Sequence, residues 1–513
     1  MPSRLLVLLL IVSFLAPLLA AEPLSAATQR WLSERTVQRK ERATIITAAE
    51  ADRRDRAAKA AKQLEELFKR AAESRVAGQE SQLSALITGI HSIHPDPVKG
   101  FKERLAALGP VPEAPAPAAI RAWTKVLADK RSAMTKPTEQ LGQRALEAGV
   151  LGIAHQCLEQ VLTIQPDHAG LRKNLRQVQI DGRWYGPREQ EIAKSGLRWD
   201  QRLGWIVGKE AAQYADGRYF GLDTKQWTTM AAADAGHRTW AKPWVIKTEH
   251  LEVRGTAELS KLVEVANRLE EFYGRIFGSY SGFFAGGKGQ ARDVRLIFGL
   301  LDHPPLVVNV AYDKADYPAS LPNGISAGWT AGMFIPSASA SFFYAGPQEV
   351  LYHEFTHQIL HMFTNGNQAP VWVVEGVAVY TQAPTFVDGR MVLGRLAGNS
   401  HLLHQLRLIA DKKEMSIDEI LDFTSYQAWS EATDPGPQYS AAGMLVQFCM
   451  EAEGRRYRDD FIDYLRDAYR GETNERAVWL YLGLDRPTMI AAYKTWQEAL
   501  AKQPTEPAPS AGQ

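Results

Sequence analysis

The 513-residue chain has few cysteines and almost no excess of either charge, and each scarcity excludes a class of protein. Two cysteines exclude a disulfide-rich scaffold and any metal site built from four cysteines. Fifty-nine basic against 58 acidic residues argue against a protein built mainly to hold nucleic acid or an anionic membrane. The remaining composition, 45% hydrophobic and 23% charged, is that of an ordinary globular protein.

A long apolar run lies at the N-terminus. Residues 5–15 are apolar except for Ser13, Arg4 precedes them, and residues 17–21 supply a proline and small residues. This order is typical of a secretory signal peptide, and the run is shorter than the roughly 20 residues of a membrane span. We therefore predict a leader at residues 1–21, export to the periplasm or beyond, and no further transmembrane segment. Anchoring by an uncleaved leader is the less favoured alternative.

Export makes a disulfide possible. Cys157 and Cys449, however, both lie in helical patterns among apolar residues. We therefore predict two buried free thiols rather than a disulfide.

Changes in composition divide the mature chain into regions. We predict a helical region at residues 22–134, with a proline-rich loop or linker at 95–117, then a helical hairpin at 135–181. A tryptophan-rich connector follows at 182–241, and its six indoles are expected to cover a core or a domain junction. Residues 242–500 form the last domain, and residues 501–513 are expected to be a disordered tail.

The hairpin at residues 135–168 resembles one tetratricopeptide repeat. Ala145 and Ala154 are small enough to let two helices approach, and Pro166 ends the second helix. An array that binds peptides needs at least three repeats to bury a continuous core. We therefore favour a hairpin packed against its neighbours, with partner binding by the N-terminal helices as the alternative.

From about residue 242 the pattern mixes strands with helices, so we predict an α+β fold. Residues 244–255 alternate like a strand or a strand pair, and residues 256–277 have helical periodicity. Residues 294–299 and 305–312 are predicted as strands, and residues 325–336 as strand–turn–strand. Helices are predicted from there to about residue 500, which gives a small mixed sheet followed by a helical subdomain.

The segment His353-Glu354-Phe355-Thr356-His357 carries the chemistry. Histidines at i and i+4 lie one turn apart on one helical face, so both imidazoles can reach the same zinc ion. Glu354 lies beside them and can take a proton from water. A helix start near Pro347 and a stop near residues 365–366 support this placement.

Glu375 lies on a second predicted helix that starts near Pro370. An antiparallel helix at this spacing can present its carboxylate as the third zinc ligand, and the small Gly376 and Ala378 let the two helices approach. Three protein ligands and an open position are the usual arrangement of a catalytic zinc site. We therefore predict one zinc ion per chain.

The pattern HEFTH…WVVEGVAVY resembles the gluzincin branch of zinc metallopeptidases, closest to a largely uncharacterised group of exported bacterial proteins. The resemblance covers roughly residues 242–500. It implies zinc ligands at His353, His357 and Glu375 and a general base at Glu354. In thermolysin-like members an aspartate one turn after the third ligand supports a histidine, but that place holds Val379 here. The motif that binds a free amino terminus in related aminopeptidases is not evident.

Other residues are candidates for supporting roles. A tyrosine on a helix downstream of the third ligand stabilises charge in many gluzincins, so we predict Tyr439 in this role, with Tyr380 and Tyr426 as competitors. The strand near residues 329–335 is expected either to hold substrate beside the helix or to be a simple core hairpin. His361 is interpreted as a polar residue under the site or at the surface, and His401 and His404 as surface or core residues.

These features favour an exported zinc peptidase that acts on peptide or protein substrates. The alternative is an inactive, peptidase-like scaffold of the cell envelope that binds partners through its N-terminal helices. A zinc hydrolase that acts on another kind of amide is a third hypothesis.

Overall fold

The fold, seen in a computed structural model, is α+β as the sequence predicts. The structure describes residues 24–74, 76–108, 116–285, 293–328, 330–346, 348–364, 369–387, 389–423, 425–430, 436–474 and 476–502. The predicted leader at residues 1–21 and residues 503–513 of the predicted tail lie outside the described residues. In the part of the chain that is described, no helix is both long and apolar enough to cross a membrane.

Helices make up the N-terminal region. They are α1 (Ala26–Ala51), α2 (Arg53–Ser74), α3 (Gln79–Ile93), α4 (Phe101–Ala106), α5 (Pro117–Glu147), α6 (Leu151–Ile164) and α7 (Ala169–Asn174). Helix α4 lies inside the segment that was predicted as a linker, where Phe101 packs against Phe68 of α2. The predicted boundary at residue 135 falls inside α5, which is one continuous helix.

Helices α5 and α6 form the predicted hairpin. Gly142 is the point of closest approach, because a Cβ atom at this position would lie 2.9 Å from Cys157 Cβ. The residues that matched the repeat pattern face the neighbouring helices and are buried: Leu141, Ala145, Ala154, Leu158 and Val161.

The tryptophan-rich connector, together with the four residues before it, contains three small antiparallel hairpins that the sequence did not reveal. Its elements are β1 (Val178–Ile180), β2 (Arg183–Tyr185), α8 (Pro187–Lys194), β3 (Leu197–Asp200), β4 (Gly204–Val207), α9 (Ala211–Ala215), β5 (Arg218–Phe220), β6 (Trp227–Thr229) and α10 (Met230–Gly236). Trp199 and Trp205 are buried, and the Trp205 indole donates a hydrogen bond to the Lys247 carbonyl at 2.7 Å. The indoles therefore cover the junction with the following domain.

A five-stranded sheet opens the C-terminal domain. The elements of this part are β7 (Trp244–Lys247), β8 (Leu251–Gly255), α11 (Leu259–Ser279), α12 (Ser281–Ala285), α13 (Val294–Ile297), β9 (Leu306–Ala311), α14 (Tyr317–Ser320), β10 (Gly332–Ile335) and β11 (Ala340–Tyr344). The strand order is β10-β11-β9-β8-β7, with β8, β9 and β11 parallel and the two edge strands antiparallel to their neighbours.

Helices follow the sheet. The elements are α15 (Gln348–His361), α16 (Val371–Thr381), β12 (Thr385–Val387), β13 (Arg390–Val392), α17 (Ser400–Ala410), α18 (Ile417–Asp422), α19 (Tyr426–Ser430), α20 (Gly436–Arg455), α21 (Arg458–Arg470), α22 (Val478–Leu482) and α23 (Arg486–Ala501). Helix α15 packs beneath β10 and β11, and α16 lies between α15 and α20. This stacking places α15 between the sheet and α16.

Two strand predictions in this domain are wrong. Residues 294–297 form helix α13, because the Asp293 side chain caps it by accepting a hydrogen bond from Arg295 N at 2.9 Å. Among the described residues of the segment predicted as strand–turn–strand, only Gly332–Ile335 form a strand. Its partner is β11, which follows a short 3₁₀ turn at Pro336–Ala338.

Ion pairs help to hold helix α1 to the C-terminal domain. Arg35, Arg39 and Arg42 lie on one face of α1 and reach Asp460 and Asp463 of α21. The closest contact joins Arg35 Nη2 to Asp460 Oδ1 at 2.6 Å, and all three of Arg35, Asp460 and Asp463 are buried. The two cysteines, Cys157 and Cys449, are free and buried, as predicted.

Candidate metal centre

Helix α15 presents the two histidines of the HEFTH segment to one point. Phe355 and Ile359 anchor the helix in the core, and this leaves His353 and His357 on the half-buried side. The two imidazole rings are 4.8 Å apart between centroids and nearly perpendicular, at 84°. This arrangement follows from the one-turn spacing of the two residues.

Glu375 is the charged residue of the otherwise apolar helix α16, and it is only 4% exposed. Its Oε2 atom lies 3.2 Å from His353 Nε2 and 3.3 Å from His357 Nε2. One carboxylate oxygen therefore faces both imidazoles at nearly equal distances, where the sequence predicted a third ligand.

Gly376 has a different role from the predicted one. A Cβ atom there would lie 2.6 Å from the Ala442 carbonyl oxygen of α20, so the glycine allows α16 to approach α20 rather than α15. Ala378 is fully buried on the same apolar helix.

His353, His357 and Glu375 together can hold a metal ion. Their ligand atoms all lie within 4.8 Å of one another. Two imidazole nitrogens and one carboxylate oxygen, gathered in a buried place, match the donor types that proteins use for transition-metal ions.

The electrostatics of the three groups reflect their proximity. Burial opposes charge on His353, but the hydrogen bond to Glu375 and the charge of Glu354 raise its pKa to about 9. Burial likewise opposes charge on Glu375, yet His357 and His353 hold its pKa well below the ordinary value. Without a metal, His353 and Glu375 therefore each favour the charged form of the other.

Glu354, the predicted base, lies on the same helix turn as His353. Its Oε2 accepts a hydrogen bond from the backbone N–H of Phe334 at 2.9 Å. Phe334 belongs to β10, the edge strand of the sheet, so this bond ties the base to the strand beside the site. The half-buried carboxylate is thus held at the border between the helix and the sheet.

Two of the three candidate tyrosines lie at the site. The Tyr426 hydroxyl donates to Glu375 Oε1 at 2.8 Å, and although 45% of the residue is exposed, desolvation of the hydroxyl and the Glu375 charge raise its pKa above the ordinary value. The Tyr439 ring lies 6.0 Å from the His353 ring between centroids. Tyr380 points elsewhere, because its hydroxyl donates to Glu451 Oε1 at 2.6 Å.

His401 is a neighbour of the site that the sequence interpretation left at the surface or in the core. Its ring centroid lies 5.6 Å from that of Tyr439, and its Nδ1 is 3.2 Å from Ser440 Oγ. Burial and the charges of His353 and His404 lower the pKa of His401 to about 4. The i, i+3 spacing of His401 and His404 on α17 is the sequence signal that could have placed them together, and both Nδ1 atoms lie 3.2 Å from Ser440 Oγ.

The remaining sequence candidates are placed as follows. His361 is exposed, with its ring 5.3 Å from the Phe334 ring. Val379, which stands where the resemblance puts an aspartate, packs against α20 at Gly443. The acceptor for His353 is instead Gln382, whose Oε1 lies 3.0 Å from His353 Nδ1.

In the comparison with known proteins, one family without an assigned activity matches part of the chain. The family described as "Protein of unknown function (DUF1570)" matches residues 349–472, a minority of the chain that includes the whole three-residue group. No curated protein matches the chain.

Proposed function

We propose that this protein is an exported, zinc-dependent peptidase of the gluzincin type. The observation that carries the proposal is the shared carboxylate, with Glu375 Oε2 at 3.2 and 3.3 Å from two imidazole nitrogens on the neighbouring helix. Ligands arranged tetrahedrally at the usual 2.0–2.1 Å from zinc lie about 3.3 Å from one another. Both distances fit that spacing.

The donor set also favours zinc over harder cations. Two imidazoles and one carboxylate are a common catalytic zinc set, whereas magnesium and calcium prefer oxygen ligands alone. A zinc ion, when bound, supplies Lewis acidity and makes water a stronger nucleophile at neutral pH.

The protein's own residues supply the proton transfers. Glu354 takes a proton from the attacking water and passes it to the leaving amine, which needs a carboxylate beside both positions. Its hydrogen bond with the Phe334 amide holds it at the edge of the cleft. Tyr439, whose ring lies 6.0 Å from that of His353, offers a hydroxyl donor for the negative charge that develops on the carbonyl oxygen, whereas the Tyr426 hydroxyl already donates to Glu375.

Strand β10 supports a peptide as the substrate. As an antiparallel edge strand beside α15, it has one side free of sheet pairing in the described residues. An extended chain can add to such an edge through main-chain hydrogen bonds.

The test combines metal analysis with digestion of a peptide library by the secreted full-length protein. We expect about one zinc per chain, as in single-zinc catalytic sites, and cleavage that Glu354→Gln abolishes while zinc is retained. His353→Ala should lose the zinc itself. Glu498→Gln, an exposed position on α23, is the matched control and should behave as wild type.

Three results would contradict the proposal in different ways. Zinc binding that is unchanged in His353→Ala would exclude the site. Bound zinc without any cleavage would favour the scaffold hypothesis, in which the N-terminal helices bind partners. Cleavage of non-peptide amides alone would favour the third hypothesis.

A further inference from the structure

The imidazole of His353 has a partner on the side away from Glu375. Its Nδ1 lies 3.0 Å from Gln382 Oε1, and Gln382 is only 3% exposed. Gln382 caps the C-terminal end of α16, two turns after Glu375. The same helix therefore supplies both the third ligand of the group and the partner of another ligand.

The side chain of Gln382 also contacts a second carboxylate, that of Glu349. Gln382 Nε2 donates to Glu349 Oε2 at 3.0 Å. Ser400 donates to the same residue twice, from Oγ to Oε2 at 2.6 Å and from its backbone N to Oε1 at 3.3 Å. Ser400 is the first residue of α17, so the positive end of that helix faces the Glu349 carboxylate.

The direction of each hydrogen bond is fixed by chemistry. An ionised Glu349 can only accept, so Gln382 must turn its amide nitrogen toward Glu349 and its carbonyl oxygen toward His353. That oxygen can only accept, so His353 must carry a proton on Nδ1. When the ring gives up its second proton to bind a metal, the lone pair is therefore on Nε2, the nitrogen that faces Glu375.

The other histidine has no equivalent support. His357 Nδ1 is buried and has no hydrogen-bond partner among the described residues. The chain of contacts therefore acts on one of the two imidazoles, and it links the first turn of α15, the end of α16 and the start of α17.

We infer that Ser400, Glu349 and Gln382 form a positioning chain that sets the tautomer and orientation of His353 for metal binding. This role rests on the proposed function. It takes the place of the aspartate that the resemblance puts at Val379. None of the three residues touches the metal position, so each acts through His353.

The test measures the zinc dissociation constant of the full-length protein by competition with a chromophoric chelator. We expect Gln382→Ala to weaken zinc binding by about 10- to 100-fold, the usual effect of removing such a partner. Gln447→Ala is the matched control, because it removes a buried amide that bonds the Gly394 carbonyl rather than a residue of the positioning chain. It should leave the zinc affinity unchanged.

A double variant separates positioning from simple packing. Glu349→Gln combined with Gln382→Glu exchanges the two functional groups and keeps an acceptor for His353 and a donor between the two positions. We expect zinc affinity to return to at least the wild-type value, because a carboxylate is the stronger acceptor for a ligand histidine. The thermal midpoint of each metal-free variant verifies that it is folded.

Two results would overturn the positioning role alone: wild-type affinity in Gln382→Ala, or no recovery in a folded double variant while the wild type binds zinc. Failure of the wild type to bind zinc would overturn the proposed function, and this role with it.

Discussion

Two tyrosine hydroxyls near the candidate metal centre make different contacts, so their expected roles differ. Tyr426 donates to Glu375, whereas Tyr439 places its ring beside those of His353 and His401. The first is suited to fixing the carboxylate ligand. The second is suited to reaching a substrate carbonyl.

Removing each hydroxyl should separate these roles. We expect Tyr439→Phe to lower kcat by about 10²-fold with unchanged zinc affinity, the size of effect seen when one transition-state donor is lost. Tyr426→Phe should instead weaken zinc binding by about 10-fold, because Glu375 loses a donor that orients it. Tyr380→Phe is the control, since its hydroxyl bonds Glu451 rather than the site. Steady-state kinetics and zinc titration of the three variants measure both effects, and equal effects in all three would contradict this division.

The metal-free protein should lose stability as the pH rises. Near Glu375, the pKa of His353 is raised to about 9 from an ordinary value near 6.5. A group whose pKa is raised on folding stabilises the fold fully at pH values below its pKa in the unfolded chain. That stabilisation is lost as the pH rises through its pKa in the folded protein. We expect the free energy of unfolding of the chelator-treated protein to fall between about pH 6.5 and 9, by about 3 kcal/mol at most.

Calorimetry with and without zinc across this range measures the effect. In the zinc-loaded protein the imidazole is a deprotonated ligand, so this dependence should be absent. The metal-free variant His353→Gln should also lack it. A metal-free wild type whose stability is constant from pH 6.5 to 9 would show that the ion pair does not form.

At the scale of elements, the packing of α16 on α20 is the tightest helix contact near the site. Gly376 lies where a methyl group would meet the Ala442 carbonyl at 2.6 Å. We expect Gly376→Ala to lower the free energy of unfolding by about 1–3 kcal/mol through overpacking. Gly274→Ala on α11, where nothing lies within 4 Å of the added atom, should be neutral or slightly stabilising. Denaturant unfolding of both variants checks this, and equal values for the two would be inconsistent with the close approach.

The sequence predicts elements well where the signal is long and local. The apolar periodicity of residues 256–277 identifies α11, and the HEFTH spacing identifies the ligand face of α15. The strand predicted at residues 294–299 is wrong because a segment with four apolar residues fits a buried strand or a helix equally well. What decides is the Asp293 cap, a contact that apolar periodicity does not report.

The supporting residues of the site were harder to predict for a related reason. Glu375 lies on the next helix, 18 residues after His357, so its position could be inferred from the spacing along the sequence. Gln382 reaches His353 across a helix pair, and Ser400 reaches Glu349 from a third helix. Such contacts depend on how helices stack, and no periodicity within one segment encodes them.

At the scale of the whole molecule, two hydrophobic cores are joined partly by charge. Helices α2 to α5 bury a core of their own, while the connector, the sheet and the C-terminal helices share a larger one. Helix α1 buries little apart from Arg35 and Ala49. Its attachment therefore combines the arginine contacts with Asp460 and Asp463 with partly buried apolar contacts, in which Trp31 packs edge-on against Tyr481 and Ile45 and Ile46 pack on a smaller apolar cluster.

Removing Arg35 should loosen α1 selectively. Arg35→Ala leaves two buried carboxylates with less compensation, and we expect a loss of about 3 kcal/mol in the free energy of unfolding. Hydrogen exchange should show faster exchange in α1 and at the start of α21. Arg30→Ala, at an exposed position of the same helix, is the control. Protection of α1 that is identical in both variants would mean that the ion pairs do not hold it.

Each half of the molecule contains one buried thiol whose alkylation rate reports the local opening of that half. Cys157 lies in the N-terminal hairpin and Cys449 in the middle of α20, and burial raises the pKa of both thiols. Neither sulfur can be alkylated until its surroundings open, so the two labelling rates report two separate opening equilibria. Matching rates would mean that the halves unfold as one cooperative unit. Unequal rates would show which half of the molecule opens more readily.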